Sequence, residues 1–181
     1  MIELLAALSA AAAAGIRIAL PLLVIEILQG DFTYTLPLLS NIPSASAIVI
    51  LSIWSLFELL GSKQRFTRRW LQLIQLIFSP IMGAILALGV TQITALTAWL
   101  FGFTGAMFAF VLQLVQAGWF YRWQTTPPLW FIFGQDVACI LLIYLAIKAP
   151  LIGGFMALTL LWLAIRSFKN LHRWYQQGNR E

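Results

Sequence analysis

Six stretches of the chain are each long and apolar enough to cross a bilayer, and this pattern constrains the fold more than any other feature. A hydrocarbon layer of about 30 Å takes roughly 20 apolar residues in helical form. Six such helices use most of the 181 residues and leave little for a soluble domain. The expectation is an all-α polytopic membrane protein with six transmembrane helices in one domain, residues 1–181. Composition bears on one point: 9% of the residues are charged and 61% hydrophobic, whereas a soluble domain carries about a quarter charged residues.

The first segment runs from Ile2 to Leu28 and is interrupted in its chemistry by Gly15, Arg17 and Pro21. At 1.5 Å per residue it is about 40 Å long, more than one straight crossing needs. Its Ala-rich start resembles a signal peptide, but it carries Glu3 and no Lys or Arg before the apolar run, so it is read as a retained helix. The second segment, Pro43 to Gly61, has Pro at its start and Gly at its end, the usual asymmetry of helix termini. In the third, Trp70 to Val90, Ser79-Pro80 predicts a kink or a split into an interfacial and a spanning piece. Gln72 and Gln75 favour the split. The fourth, Leu96 to Trp119, spaces Ala98, Gly102 and Ala106 four apart, which lets another helix backbone come close. Segments five, Pro128 to Ile147, and six, Ala149 to Ile165, are parted only by Lys148 and must form a tight hairpin. Residues 167–181 alternate aromatic and basic side chains, the pattern of a short amphipathic helix at the headgroups.

The basic residues set an orientation. With both termini cytoplasmic, Lys63, Arg65, Arg68, Arg69, Arg122, Arg166, Lys169, Arg173 and Arg180 fall inside and Lys148 alone outside, as the positive-inside rule requires. The net charge of +5 then reflects topology and contact with anionic lipid headgroups at the cytoplasmic face. Nucleic acid is the poorer explanation, because these residues flank apolar helices. The location expected is a bacterial inner (plasma) membrane, crossed several times.

Ser79-Pro80-Ile81-Met82-Gly83-Ala84 aligns with Ala149-Pro150-Leu151-Ile152-Gly153-Gly154. These strings fall in segments three and six, which suggests a repeat of three helices, 1–92 and 93–166, followed by the tail 167–181. Three is odd, so the halves would insert in opposite senses, as in many small transporters.

Gly15-Ile16-Arg17 with Leu20-Pro21-Leu22, Phe57-Glu58-Leu59-Leu60, Pro80-Ile81-Met82-Gly83-Ala84, and Pro128 with Gln135-Asp136 follow one another along the chain. In these motifs and their order the chain resembles a family of small, uncharacterised bacterial membrane proteins, the domain of unknown function numbered forty-one twenty-six. Family members commonly have an acid and a Lys just after the Glu-Leu motif and an acidic pair in helix five. Here those positions read Gly61-Ser62-Lys63 and Gln135-Asp136. The resemblance implies a fold and membrane residence and carries no activity.

Arg17 is the costliest residue, since a guanidinium near the middle of a spanning helix costs at least about 2.5 to 3.5 kcal/mol. Asp136 in segment five and Glu58 in segment two are the candidate partners. Gln113, Gln116 and Gln135 could extend the polar surface, and Gln113 and Gln116, three apart, share a helix face. One reading makes Arg17, Glu58 and Asp136 the lining of a solute path, suited to an anion or zwitterion, with Gly15 and Pro21 loosening the backbone. The other makes them a buried ion pair that fixes helix positions. Asp136 alone is also a candidate proton-coupling carboxylate. Glu3, Glu26 and Lys148 lie near helix ends and are expected at the headgroups. Arg122 beside Tyr121 and Trp123 reads as an interfacial anchor.

Enzyme signatures are missing. There is no Gly-x-Ser-x-Gly, and an intramembrane aspartyl protease would need a second carboxylate near Asp136, for which Glu58 is the only option. The lone Cys139 and lone His172 assemble no metal site, and no cofactor is expected. The leading expectation is a small-solute or ion transporter, or channel-like carrier. The alternative is a noncatalytic accessory or assembly subunit that packs on a larger membrane complex through the small residues of helices one, four and six. Pairing of two copies is compatible with both.

Overall fold

The computed structural model describes residues 2–29, 44–61, 65–90, 95–122 and 129–178, and among them all regular structure is helical. Seven helices follow in order: α1 Ile2–Ile16, α2 Ala19–Gln29, α3 Ser44–Gly61, α4 Arg65–Gly89, α5 Ala95–Arg122, α6 Leu129–Lys148 and α7 Pro150–Gly178. Side chains of 167–178 and of the basic stretch 62–69 lie outside the described residues, as do residues 30–43.

The seventh helix comes from the first apolar segment, which breaks at Arg17 and Ile18. Pro21 places this break. Proline offers no amide hydrogen, and its ring collides with the carbonyl four residues back, which is that of Arg17. The last helical bond of α1 runs from the Arg17 amide to the Ala13 carbonyl at 3.0 Å, and the chain then bends and restarts at Ala19.

Helix α1 is the axis of the bundle and packs against α4, α5, α6 and α7. Its run Ala10 to Ala14 is fully buried. A helix of alanines is thin, so four neighbours reach its backbone without opening voids. Helix α2 packs against α3 and α6, and α3 sits at the edge. The interior is otherwise built of Leu22, Ile25, Leu86, Phe108, Leu112, Leu142 and Ile143. Large apolar side chains also cover the outside: Ile53, Phe103, Phe133, Phe155 and Trp162 are each more than half exposed. Of the six spans expected, one, over Thr97–Gly118, stands among the described residues as a helix long and apolar enough to cross a membrane. Ile2–Ile16, Ala19–Leu28, Ile48–Glu58, Leu73–Gly89 and Pro150–Arg166 are apolar but shorter.

Three expectations need correction. Helix α4 is continuous over 25 residues with Pro80 inside it. It does not split, and the Gln75 that suggested an interfacial piece is buried. The tail is not a separate short helix: α7 runs unbroken from the apolar span Pro150–Arg166 to Gly178, because no Gly or Pro interrupts the chain between Gly154 and Gly178. Glu26 is not solvated: it is 1% exposed and has an interaction of its own. The α6–α7 hairpin turns on Ala149, whose amide donates to the Leu145 carbonyl at 2.9 Å.

The close approach of α4 and α5 also differs in register from the Ala98, Gly102, Ala106 series. A Cβ on Gly83 would lie 2.6 Å from the Gly105 carbonyl oxygen, and one on Gly105 would lie 2.6 Å from that of Gly83. Gly102 has more room, with Leu88 Cδ1 at 3.5 Å. Gly134 is different again, since a Cβ there meets nothing within 4 Å. Gly134→Ala should therefore raise stability in reversible unfolding, by up to about 1 kcal/mol from helix propensity alone.

Candidate functional site

The break between α1 and α2 exposes backbone groups that a continuous helix would pair internally, and polar side chains from four other helices converge on it. At the end of α1, Cys139 Sγ on α6 donates to the Ala13 carbonyl at 3.7 Å, and Ser79 Oγ on α4 donates to the Ala14 carbonyl at 3.5 Å. Arg17 follows immediately, where the negative end of a helix dipole favours a cation. The Ala19 amide, first in α2, faces the Glu58 carboxylate, and helix N-termini favour anions. The two ends of the break thus carry groups suited to them, a cation at the end of α1 and an acid at the start of α2.

Arg17 Nε lies 2.9 Å from Asp136 Oδ1, with the two side chains 7% and 14% exposed. The contact is an ion pair, and the Nε–H is not aligned for a linear hydrogen bond. Asp136 and Cys139, three apart on α6, meet the end of α1 on one helix face. The charge of Arg17 also acts on Glu58, which comes from α3 and is 1% exposed. Glu58 Oε1 accepts from Gln75 Nε2 at 3.3 Å, and Gln75 Oε1 in turn accepts from Gln113 Nε2 at 3.3 Å. Glu58 Oε2 is buried with no hydrogen-bond partner.

Arg17, Asp136, Glu58 and Gln113 are thus brought together, Gln113 through Gln75. Gln116 and Gln135 are not in that cluster. They line a groove of about 410 Å³ between the end of α1, α5, α6 and α7, with Gly15, Ile16, Leu112, Trp130 and Leu160. Gln113 and Gln116, about 60° apart around the helix, fall on either side of the face that α5 turns to the bundle, one in the cluster and the other in the groove. Gly15 and Ile16 adjoin Arg17, and Gln135 adjoins Asp136, so the groove ends beside the ion pair. A second, wholly apolar cavity of about 210 Å³ lies between α2, α3 and α4, lined by Ile18, Leu22, Trp54 and Phe78 among others.

The sequence reading missed Gln75, Ser79 and Cys139. Residues 75, 79 and 83 recur every four along α4, with Leu86 and Ala87 continuing the buried face. That polar and small stripe in an otherwise apolar helix was the available signal. Arg122, expected as an interfacial anchor, has its side chain outside the described residues. No three His, Cys, Asp or Glu among the described residues stand close enough to hold a metal ion.

The sequence model of a family described as a domain of unknown function (DUF4126) matches residues 4–170. The chain belongs to that family. No curated protein and no solved structure matches it. The match takes in all of the DUF4126 chain that builds the break and its surroundings, from Arg17 to Asp136, and leaves out the last residues of α7.

Proposed function

We propose that this protein is a multi-pass membrane protein of two inverted three-helix halves, 1–92 and 93–166, and that it works as a small-solute or ion carrier. The observation that carries the reading is the discontinuous helix α1–α2, whose break holds a buried guanidinium and two carboxylates from different helices. Broken helices that offer free backbone ends to a solute at mid-membrane depth are a recurring transporter device. Irregular backbone at that depth is tolerated only where protein or a cavity surrounds it. Lipid as solvent is supported by the distribution of side chains: Ser9, Arg17, Glu26, Glu58, Gln75, Ser79 and Gln113 are buried, while the outer surface carries many large apolar side chains, Trp99, Phe103, Phe155 and Trp162 among them. In this reading α1 and α2 form one crossing, and both termini face the cytoplasm of a bacterial inner membrane, with the basic ends against anionic headgroups.

The inverted repeat draws support from two glycines. Gly83 on α4 meets α5, and its sequence counterpart Gly153 on α7 meets Ser9 of α1. Segment three touching segment four, as α4 on α5, and segment six touching segment one, as α7 on α1, are equivalent contacts under such a repeat. The small-residue faces that an accessory subunit would need are occupied within the chain, at Ala10 to Ala14, Gly83, Gly105, Gly153 and Gly154, so the carrier reading is preferred.

Its test is accessibility followed by flux. In a Cys139→Ala background, Gln135→Cys should react with a membrane-impermeant thiol reagent in sealed vesicles, while Trp99→Cys on the outer surface of α5 should not. Vesicles holding the protein should swell in glycine, taurine or glutamate, and Arg17→Leu should abolish swelling while insertion persists. Equal inertness of Gln135→Cys and Trp99→Cys, with no swelling in any of the three, would remove the carrier reading. Co-purification with a fixed partner would then favour the accessory subunit.

A further inference from the structure

We propose that Glu58 is a proton-binding site, and that in the conformation described here its Oε2 carries a proton while Arg17 neutralises Asp136. The inference rests on the reading of the break as the protein's polar centre and adds the identity of the ion held there. It transfers to Glu58 the coupling role that the sequence reading considered for Asp136.

Three observations lead to it. First, one permanent cation faces two acids, and it is committed to one of them: Arg17 Nε lies 2.9 Å from Asp136 Oδ1, and a guanidinium cannot give up its proton to balance the account. Second, Glu58 is 1% exposed and its two oxygens are unequal. Oε1 accepts from Gln75, and Oε2 has no partner. Ionised, Glu58 would have Gln75, Trp54 and the Ala19 amide as donors and Arg17 as a cation shared with Asp136. Its Oε2 would still hold negative charge in the interior with no donor of its own, whereas a carboxylic acid would leave only one hydroxyl without an acceptor, a smaller cost. Third, the hydrogen bonds are polarised: Gln113 donates to Gln75 and Gln75 donates to Oε1. That arrangement assigns Oε1 as the accepting carbonyl oxygen and leaves Oε2 to bear the hydrogen.

The surroundings are consistent with one titrating acid. Helix α3 packs against α2 and α4. From α4 the facing group is the neutral Gln75, and from the start of α2 it is the Ala19 amide. Glu26, further along α2, is buried and already engaged. Arg17 is the charged side chain that acts on Glu58, and Cys139 and Asp136 belong to the same cluster around it. Loss of the proton from Glu58 would set both carboxylates in competition for Arg17. A guanidinium that changes partner across the α1–α2 break would move the one irregular piece of backbone in the first segment. Proton occupancy of Glu58 would in this way decide which carboxylate holds the break.

The experiment needs no solute. The wild-type protein in phosphatidylethanolamine–phosphatidylglycerol vesicles is treated with dicyclohexylcarbodiimide, which adds to protonated carboxyls in apolar surroundings, and the adduct is located by peptide mass spectrometry. The expected result is an adduct on Glu58 that diminishes as the pH is raised, with Asp136 unmodified. In infrared spectra the carbonyl band of a protonated acid should be lost in Glu58→Gln and kept in Glu26→Gln. An adduct on Asp136 or Glu26 with Glu58 unmodified would overturn the proposal, as would labelling of Glu58 that ignores pH but is blocked by sodium. If Glu58→Gln fails to fold, labelling of the wild type still decides. Labelling as expected together with absent swelling would retain the proton site and discard the carrier.

Discussion

Glu58→Gln combined with Asp136→Asn is expected to destabilise the bundle by about 3 to 5 kcal/mol, more than the sum of the two single changes. The reason is an asymmetry between the partners of the charged centre. Removing one acid leaves the other to answer the guanidinium: Asp136 is already 2.9 Å from it, and Glu58 is within its field. Removing both strands a buried cation that cannot neutralise itself, since arginine stays protonated under any condition a protein survives. Arg17→Leu should cost less than the double change, because each carboxyl left behind can take up a proton. A triple variant, Arg17→Leu with both acid substitutions, should recover most of the loss, because it leaves no charge in the centre at all. Reversible unfolding in mixed micelles with increasing dodecyl sulfate measures all of these. Strict additivity of the two acid substitutions would show that they do not act on Arg17 as a unit.

That centre was legible in the sequence to the extent that electrostatics is compulsory. A guanidinium in an apolar segment must find an acid, and Asp136 and Glu58 are the acids set deepest in other segments. Pro21 likewise marks the break four residues ahead of itself. What escaped was anything decided by which helix lies over which. Glu26 stands near the end of α2 in sequence, yet α3 and α6 pack against that helix, and nearness to a helix end says nothing about such cover. Gln75 was misread because Gln72 and Pro80 stand close by and together imitate the boundary of an interfacial helix. The small-residue face of segment four was found without its register, since Gly102–Ala106 and Gly105–Ala109 are interleaved runs of identical spacing. Only the position of α4 distinguishes them.

The same register leads to the second large effect. Gly105→Leu is expected to destabilise the protein by more than about 3 kcal/mol, beyond ordinary overpacking because the obstruction is backbone. A Cβ there would stand 2.5 Å from the Ala87 Cβ and 2.6 Å from the Gly83 carbonyl oxygen, and neither can step aside without moving α4. The contact is reciprocal, so a change at Gly83 meets Ala109 and Gly105 in the same way. Gly102→Ala, with a flexible Leu88 side chain at 3.5 Å, should stay within about 0.5 kcal/mol of the parent. Tryptophan fluorescence during thermal unfolding checks the pair, and equal stability of the two variants would refute the α4–α5 crossing. The consequence reaches past packing. Gln75 and Ser79 ride on α4 while Gln113 rides on α5, and the 3.3 Å bond between Gln113 and Gln75 exists because two glycines let those backbones touch. Separating the helices by the width of a side chain breaks that bond and leaves Gln75, a donor to Glu58 Oε1, without its own support. Packing of the smallest residues and polarisation of the acid are therefore one property of this bundle, and Gly105→Leu should disturb Glu58 even in molecules that still fold.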